Sequence, residues 1–237
     1  MSHTRASAPT RKFTFLFPLI GLAVAFAATA AGADKAPRCH GERPTVRGAD
    51  GDDVLKGRDI RSGDVVALGD GDDYVYLQRA SHVTVCGGQG DDSISAGERA
   101  GRDLLFDGEE ERDDLGSAFF EGDKVADHSL ILIGGGAHDN LSGSEGPDVI
   151  KNGNGFDLAL GNDGKDRIWG QGGDDDIGGG SGRDTLHGGR GDDNLYGGAY
   201  LISGAKVNPG DEADGGQGRD YCEARRERSC ERREPGS

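Results

Sequence analysis

The stretch Gly179-Gly180-Ser181-Gly182-Arg183-Asp184-Thr185-Leu186-His187 runs directly into Gly188-Gly189-Arg190-Gly191-Asp192-Asp193-Asn194-Leu195-Tyr196, and the two share one nine-residue pattern. Glycines open the unit, an aspartate holds its sixth position, and a lone aliphatic residue sits between polar neighbours at its end. The phase extends backward. Aspartate recurs at Asp139, Asp148, Asp157, Asp166, Asp175, Asp184 and Asp193, and two residues after each come Leu141, Ile150, Ala159, Ile168, Ile177, Leu186 and Leu195. Composition alone does not keep an acid and an aliphatic residue in step in this way; a repeat does. Glycine permits positive φ and close backbone approach, so the first six residues predict a tight turn. The last three predict a short strand whose middle side chain faces inward. Two units close one coil, so alternate units fall on opposite sheets. Leu141, Ala159, Ile177 and Leu195 are expected to stack on one sheet and Ile150, Ile168 and Leu186 on the other. A helix is excluded, because each interior glycine costs about 1 kcal/mol.

Composition agrees with a core one side chain wide. Of 237 residues, 44 are glycine, only 33% are hydrophobic and 6% are aromatic, too little for an ordinary globular enzyme core. Collagen is excluded by the absence of a three-residue glycine period and by only 7 prolines. The formal charge of −16 excludes a nucleic-acid partner, whose phosphates need basic residues, and favours a cationic ligand.

Stacked coils place carboxylates above one another at sheet spacing, where like charges repel unless a cation lies between them. Carboxylate and carbonyl oxygens, without imidazole or thiolate nearby, select Ca2+ over zinc or copper; magnesium prefers a strict octahedron and keeps its waters. The regular block alone would hold at most about five ions. Looser Asp-x-apolar elements occur earlier, at Asp53 with Leu55, Asp73 with Val75, Asp92 with Ile94 and Asp103 with Leu105, and another turn ends at Asp220. The metal ligands expected are therefore Asp53, Asp73, Asp92, Asp139, Asp148, Asp157, Asp166, Asp175, Asp184, Asp193 and Asp220.

The chain opens on Arg5, Arg11 and Lys12, an apolar run over 13–27, and Ala31-Gly32-Ala33, which reads as a signal peptide over 1–33. Cys39, Cys86, Cys222 and Cys230 suit disulfides in an oxidising compartment and offer no C-x-x-C pair for zinc. The short gap from Cys222 to Cys230 suits a local loop, which leaves Cys39 with Cys86. No H-E-x-x-H, G-x-S-x-G or P-loop motif is present; Gly164-Lys165 is followed by Asp166 rather than Ser or Thr. Arg190-Gly191-Asp192 follows from the repeat itself.

Complete G-G-x-G-x-D turns stand at 87–92, 179–184, 188–193 and 215–220. The unit resembles the RTX, or hemolysin-type, calcium-binding nonapeptide. The resemblance implies a parallel β-roll, a right-handed all-β solenoid with Gly/Asp turns that bind Ca2+ between coils. Cys39-His40-Gly41, Val85-Cys86-Gly87-Gly88, Asp220-Tyr221-Cys222 and Cys230-Glu231 are similar to segments of secreted bacterial calcium-binding proteins, which supports the same disulfide pairs. Ala137, Asn152 and Asn162 replace turn glycines; asparagine tolerates left-handed backbone better than alanine, so the turn at 134 departs furthest.

The expected layout is a signal peptide over 1–33, an irregular RTX-like solenoid over 34–133, and a regular β-roll over 134–196. A degenerate coil or loop follows over 197–214, then a last repeat and disulfide-closed cap over 215–237. Phe119 and Phe120 are expected to cover an exposed end. The whole reads as a secreted, non-enzymatic calcium-binding protein, free of the membrane once the signal is removed. The alternatives are an extracellular adhesion or interaction protein on the same scaffold, or a non-catalytic remnant of a secreted hydrolase.

Overall fold

A computed structural model describes residues 39–97, 99–117, 129–198 and 210–231; the segment 1–33 and the pair Phe119 and Phe120 lie outside the described residues. Every paired strand described runs parallel to its neighbours, and none of the described residues is helical. Glycine-rich turns and three-residue hydrophobic segments leave no room for a crossover helix, so each coil returns to the opposite sheet after a single turn.

Two sheets face each other. The first stacks Val46–Arg47, Val65–Asp70, Val83–Gln89, Leu104–Glu109, Leu130–Gly135, Val149–Asn154, Arg167–Gly172, Thr185–Arg190, Glu212–Gln217 and Arg226–Arg228. The second stacks Val54–Lys56, Tyr74–Leu77, Ser93–Ala96, Asp114–Ser117, Asn140–Ser142, Leu158–Leu160, Asp176–Gly178, Asn194–Tyr196 and Tyr221–Glu223. The first sheet has the longer strands because each runs on into the following glycine turn.

Register makes the core a pair of ladders. Ile150 lies beside Leu132 and Ile168, Ile168 beside Leu186, and Leu186 beside Ala213. On the other sheet Leu141, Ala159, Ile177, Leu195 and Cys222 follow one another in register. All are buried. The two-sheet segregation expected from the period is what the fold shows. Eighteen residues separate successive turn aspartates here, and each coil buries only two aliphatic side chains, too few by themselves to offset the ordering of its backbone.

The first half is better filled. Its coils bury Ile60, Leu68, Leu77, Val83, Leu104 and Leu130 in addition to the ladder residues Val75, Ile94, Phe106 and Leu115. Residues 106–127 read as mostly acidic and irregular, yet Leu104–Glu109 and Asp114–Ser117, which reach into their described part, are ladder strands. Burial of Phe106 and Leu115 overrides the local composition.

The disulfides join Cys39 to Cys86 and Cys222 to Cys230. The first pins the opening segment onto the outer face of the first sheet, where Cys39 and Cys86 cluster with Val65 and Ala67. The second closes the far end, where the exposed strand Arg226–Arg228 puts Glu227 in register with Ala213 and so ends the aliphatic ladder on a charge.

Candidate metal centre

The turn aspartates form two continuous columns, each built by one repeated hydrogen bond. In the first, the backbone N–H of one aspartate donates to Oδ1 of the aspartate in the next coil. The chain runs from Asp53 to Asp73 at 2.7 Å, then through Asp92, Asp113, Asp139, Asp157, Asp175 and Asp193 to Asp220, with links of 2.8 to 3.1 Å. The second column runs Asp148, Asp166, Asp184, Asp211 at 2.8, 3.0 and 3.1 Å. These bonds use one oxygen of each carboxylate and fix where the other points.

That other oxygen is the centre of interest. Oδ2 of Asp73, Asp92, Asp113, Asp139, Asp157, Asp166, Asp175, Asp184, Asp193 and Asp220 is buried without a hydrogen-bond partner. Leaving so many buried carboxylate oxygens unsatisfied is costly in a protein without a compensating ligand. Asp53 and Asp148 differ: their Oδ2 atoms accept the backbone N–H of Ala49 at 2.5 Å and of Ser144 at 2.6 Å.

Where a glycine opens the turn, the orphaned oxygen meets a carbonyl oxygen across a small space. A Cβ added at Gly170 would run into Asp175 Oδ2 and the Gly188 carbonyl oxygen; one at Gly188 would meet Asp193 Oδ2 and the Gly215 carbonyl. Gly87, Gly108, Gly134, Gly161 and Gly215 repeat the arrangement with Asp92, Asp113, Asp139, Asp166 and Asp220. None of these opening glycines has a positive φ. The backbone does not require glycine there; the space does. Left-handed conformation is needed one and three residues later, as at Gly189 and Gly191, and Ala137 and Asn162 adopt it at φ 67° and 71°. Ala137 thus takes up the geometry its turn demands.

Burial pushes the Asp113, Asp166 and Asp175 carboxyls up to about 8, and Asp92 and Asp139 to about 7, with repulsion from neighbouring aspartates adding to the rise. Asp73, Asp148, Asp184 and Asp193 rise to about 6, again chiefly by burial. A cation among them would reverse the penalty and restore the ionised form. The donor set is all oxygen, carboxylate and carbonyl, which fits a hard cation such as Ca2+.

Residues 131–151, 152–186 and 178–199 match the model for the RTX calcium-binding nonapeptide repeat, in four copies. Within residues 131–199 the chain is thus similar to RTX calcium-binding nonapeptide repeats. No curated protein matches the chain. The RTX repeats imply Ca2+ as the ligand, and the residues fit it: the orphaned Oδ2 atoms and facing carbonyls would hold the ion, which would supply charge neutralisation between coils and no chemistry beyond that.

The structure places all eleven sequence-expected aspartates in the two columns. Asp53, Asp73, Asp92, Asp139, Asp157, Asp175, Asp193 and Asp220 share the first; Asp148, Asp166 and Asp184 share the second. The first column therefore runs beyond the RTX match at both ends, past what the regular block alone suggested. Two members escaped the sequence reading. Asp113 occupies the position expected of an Asp-x-apolar element, with Leu115 inward; Asp103 instead stands exposed at φ 57°, paired with His82 Nε2 at 3.1 Å. Asp211 enters the second column 27 residues after Asp184. A Cβ at Gly197 would meet Asp211 Oδ2 at 2.9 Å, so Gly197 stands to Asp211 as Gly188 stands to Asp193. His40, Cys86 and Asp107 also converge, but Cys86 is spent in a disulfide and His40 Nε2 pairs with Asp107 at 2.7 Å.

Proposed function

We propose that this chain is a secreted, non-enzymatic calcium-binding protein whose β-roll is completed by Ca2+ between its stacked turns. The observation that supports it is the file of buried, unpartnered Oδ2 atoms facing carbonyl oxygens along both columns. Extracellular calcium sites work at about 10⁻⁴–10⁻³ M, so folding of the RTX block waits until export. The N-terminal signal pattern and the two disulfides support that destination. The Asp carboxylates serve as structural ligands, and the reading assigns them no proton transfer or nucleophilic step.

Circular dichroism of the chain during a calcium titration tests the reading. β structure is expected to grow with calcium and to be lost in chelator from the RTX block; an identical spectrum in both conditions would overturn it. Fractionating the producing cells separates release into the medium from the alternative of an adhesion protein held at a surface.

A further inference from the structure

Register places Asn152 at the position that Gly134, Gly170 and Gly188 hold in their turns: Lys151 and Gly153 pair with Ile133 and Gly135 on one side and with Trp169 and Gln171 on the other. Asn152 is fully buried, and neither atom of its amide completes a hydrogen bond. Its φ is not positive, so the backbone neither favours nor resists asparagine here. What differs is space. In the neighbouring coils a Cβ at this position would occupy the gap between the turn's own Oδ2 and the next coil's carbonyl; Asn152 has that Cβ, and a side chain beyond it.

We infer that Asn152 closes the calcium site belonging to Asp157, its side chain standing in the gap where the neighbouring turns would hold the ion. The inference rests on the calcium reading above. The backbone of Asn152 keeps its ordinary duty, since its carbonyl oxygen still faces the gap at Gly134 beside Asp139 Oδ2. Only its own site is lost. The amide lies near enough to the Asp175 carboxylate to draw its proton affinity down, although burial outweighs it. A neutral amide thus separates two coils without adding charge to a column that already crowds its carboxylates. The chain uses the same position similarly at Leu68, whose buried aliphatic side chain opens the turn ending at Asp73. The first column is therefore an interrupted file of ions, with a gap inside the regular block.

Calcium stoichiometry of the full chain, read by equilibrium dialysis and elemental analysis, tests this directly. N152G is expected to take up one more ion per chain than wild type, and N152A, which keeps the Cβ, to stay at the wild-type count. The reverse exchange, G170N, is expected to lose one ion. A folded N152G with an unchanged or lower count overturns the closure; should N152G fail to fold, an unchanged count in G170N overturns it. Wild type taking up calcium with no gain in N152G rejects the closure alone, whereas wild type taking up none rejects it together with the calcium reading.

Discussion

A turn aspartate in this roll does two jobs with two oxygens. Oδ1 accepts the N–H of the preceding coil's aspartate and sets the stacking; Oδ2 is buried without a hydrogen-bond partner and is the oxygen proposed to meet the cation. Asp175→Asn separates them, because the amide keeps an oxygen for the Asp157 N–H but turns an N–H2 toward the Gly188 carbonyl. We expect D175N to bind one ion fewer by calorimetry while the metal-free form gains about 1 kcal/mol, since the amide is neutral without taking up a proton and offers the carbonyl a donor. D157N, whose site Asn152 fills, should leave the ion count unchanged. The raised carboxyls also set a pH sign. In folded, metal-free protein they lie near 6 to 8 against an ordinary 3.8, so the stability they confer is full below their unfolded value and lost as pH rises through the folded one. Thermal melts in calcium-free buffer should therefore show a lower midpoint at pH 8 than at pH 5. Calcium holds the ionised form, so the concentration needed to half-saturate the folded protein should rise as pH falls, because protons compete with it for the raised carboxyls. A calcium-free midpoint that climbs with pH would contradict this.

At the level of the coil, the two edges of the roll are built differently along its length. Asp148 is the first aspartate of the second column, and the position before it is Leu130, whose N–H donates to Asp148 Oδ1 at 2.6 Å. Going back, Leu104 and Val83 follow in register with Leu130, all buried. The early coils thus close one edge with aspartates and the other with aliphatic side chains, whereas the RTX coils carry aspartates on both. Hydrophobic closure does not depend on an ion. In chelator, hydrogen exchange should leave Val83–Gln89 and Leu104–Glu109 protected after Arg167–Gly172 and Thr185–Arg190 have exchanged; equal loss everywhere would refute the distinction. Leu104→Ala should cost about 2–5 kcal/mol in denaturant melts, with or without calcium.

Over the whole molecule, stability is nearest-neighbour in kind, so the ends matter. One disulfide clamps the opening segment to the first sheet, and the other holds Cys222, itself the last aliphatic-ladder position of the second sheet, to Cys230 beyond the final strand. Among the described residues, no hydrogen bond links either cystine to a turn aspartate. The double substitution of Cys39 and Cys86 by serine is expected to lower stability by about 2–4 kcal/mol without altering the calcium count, measured by melts and dialysis on the same preparation. A changed count would mean that the clamp shapes the first column as well.

The nine-residue period determined, by itself, the strands, their inward residues and the aspartate phase from 139 to 193, because turn length, strand length and side-chain alternation all repeat together there. The cysteine spacing likewise carried the disulfide pairing. Elsewhere coils of 19, 21 and 26 residues separate Asp73, Asp92, Asp113 and Asp139, and an insertion leaves no mark of its place in the coil. Stacking had to choose Asp113 over Asp103, by burying Phe106 and Leu115. It also had to bring Asp211 under Asp184 across a 27-residue coil. Asn152 shows the same limit from within the regular block. Its sequence position suggests a left-handed glycine replaced by a tolerant residue, and only the neighbouring coils reveal that the lost quantity is volume between two oxygens. Period is a property of the chain; the gap between coils exists only once they are stacked.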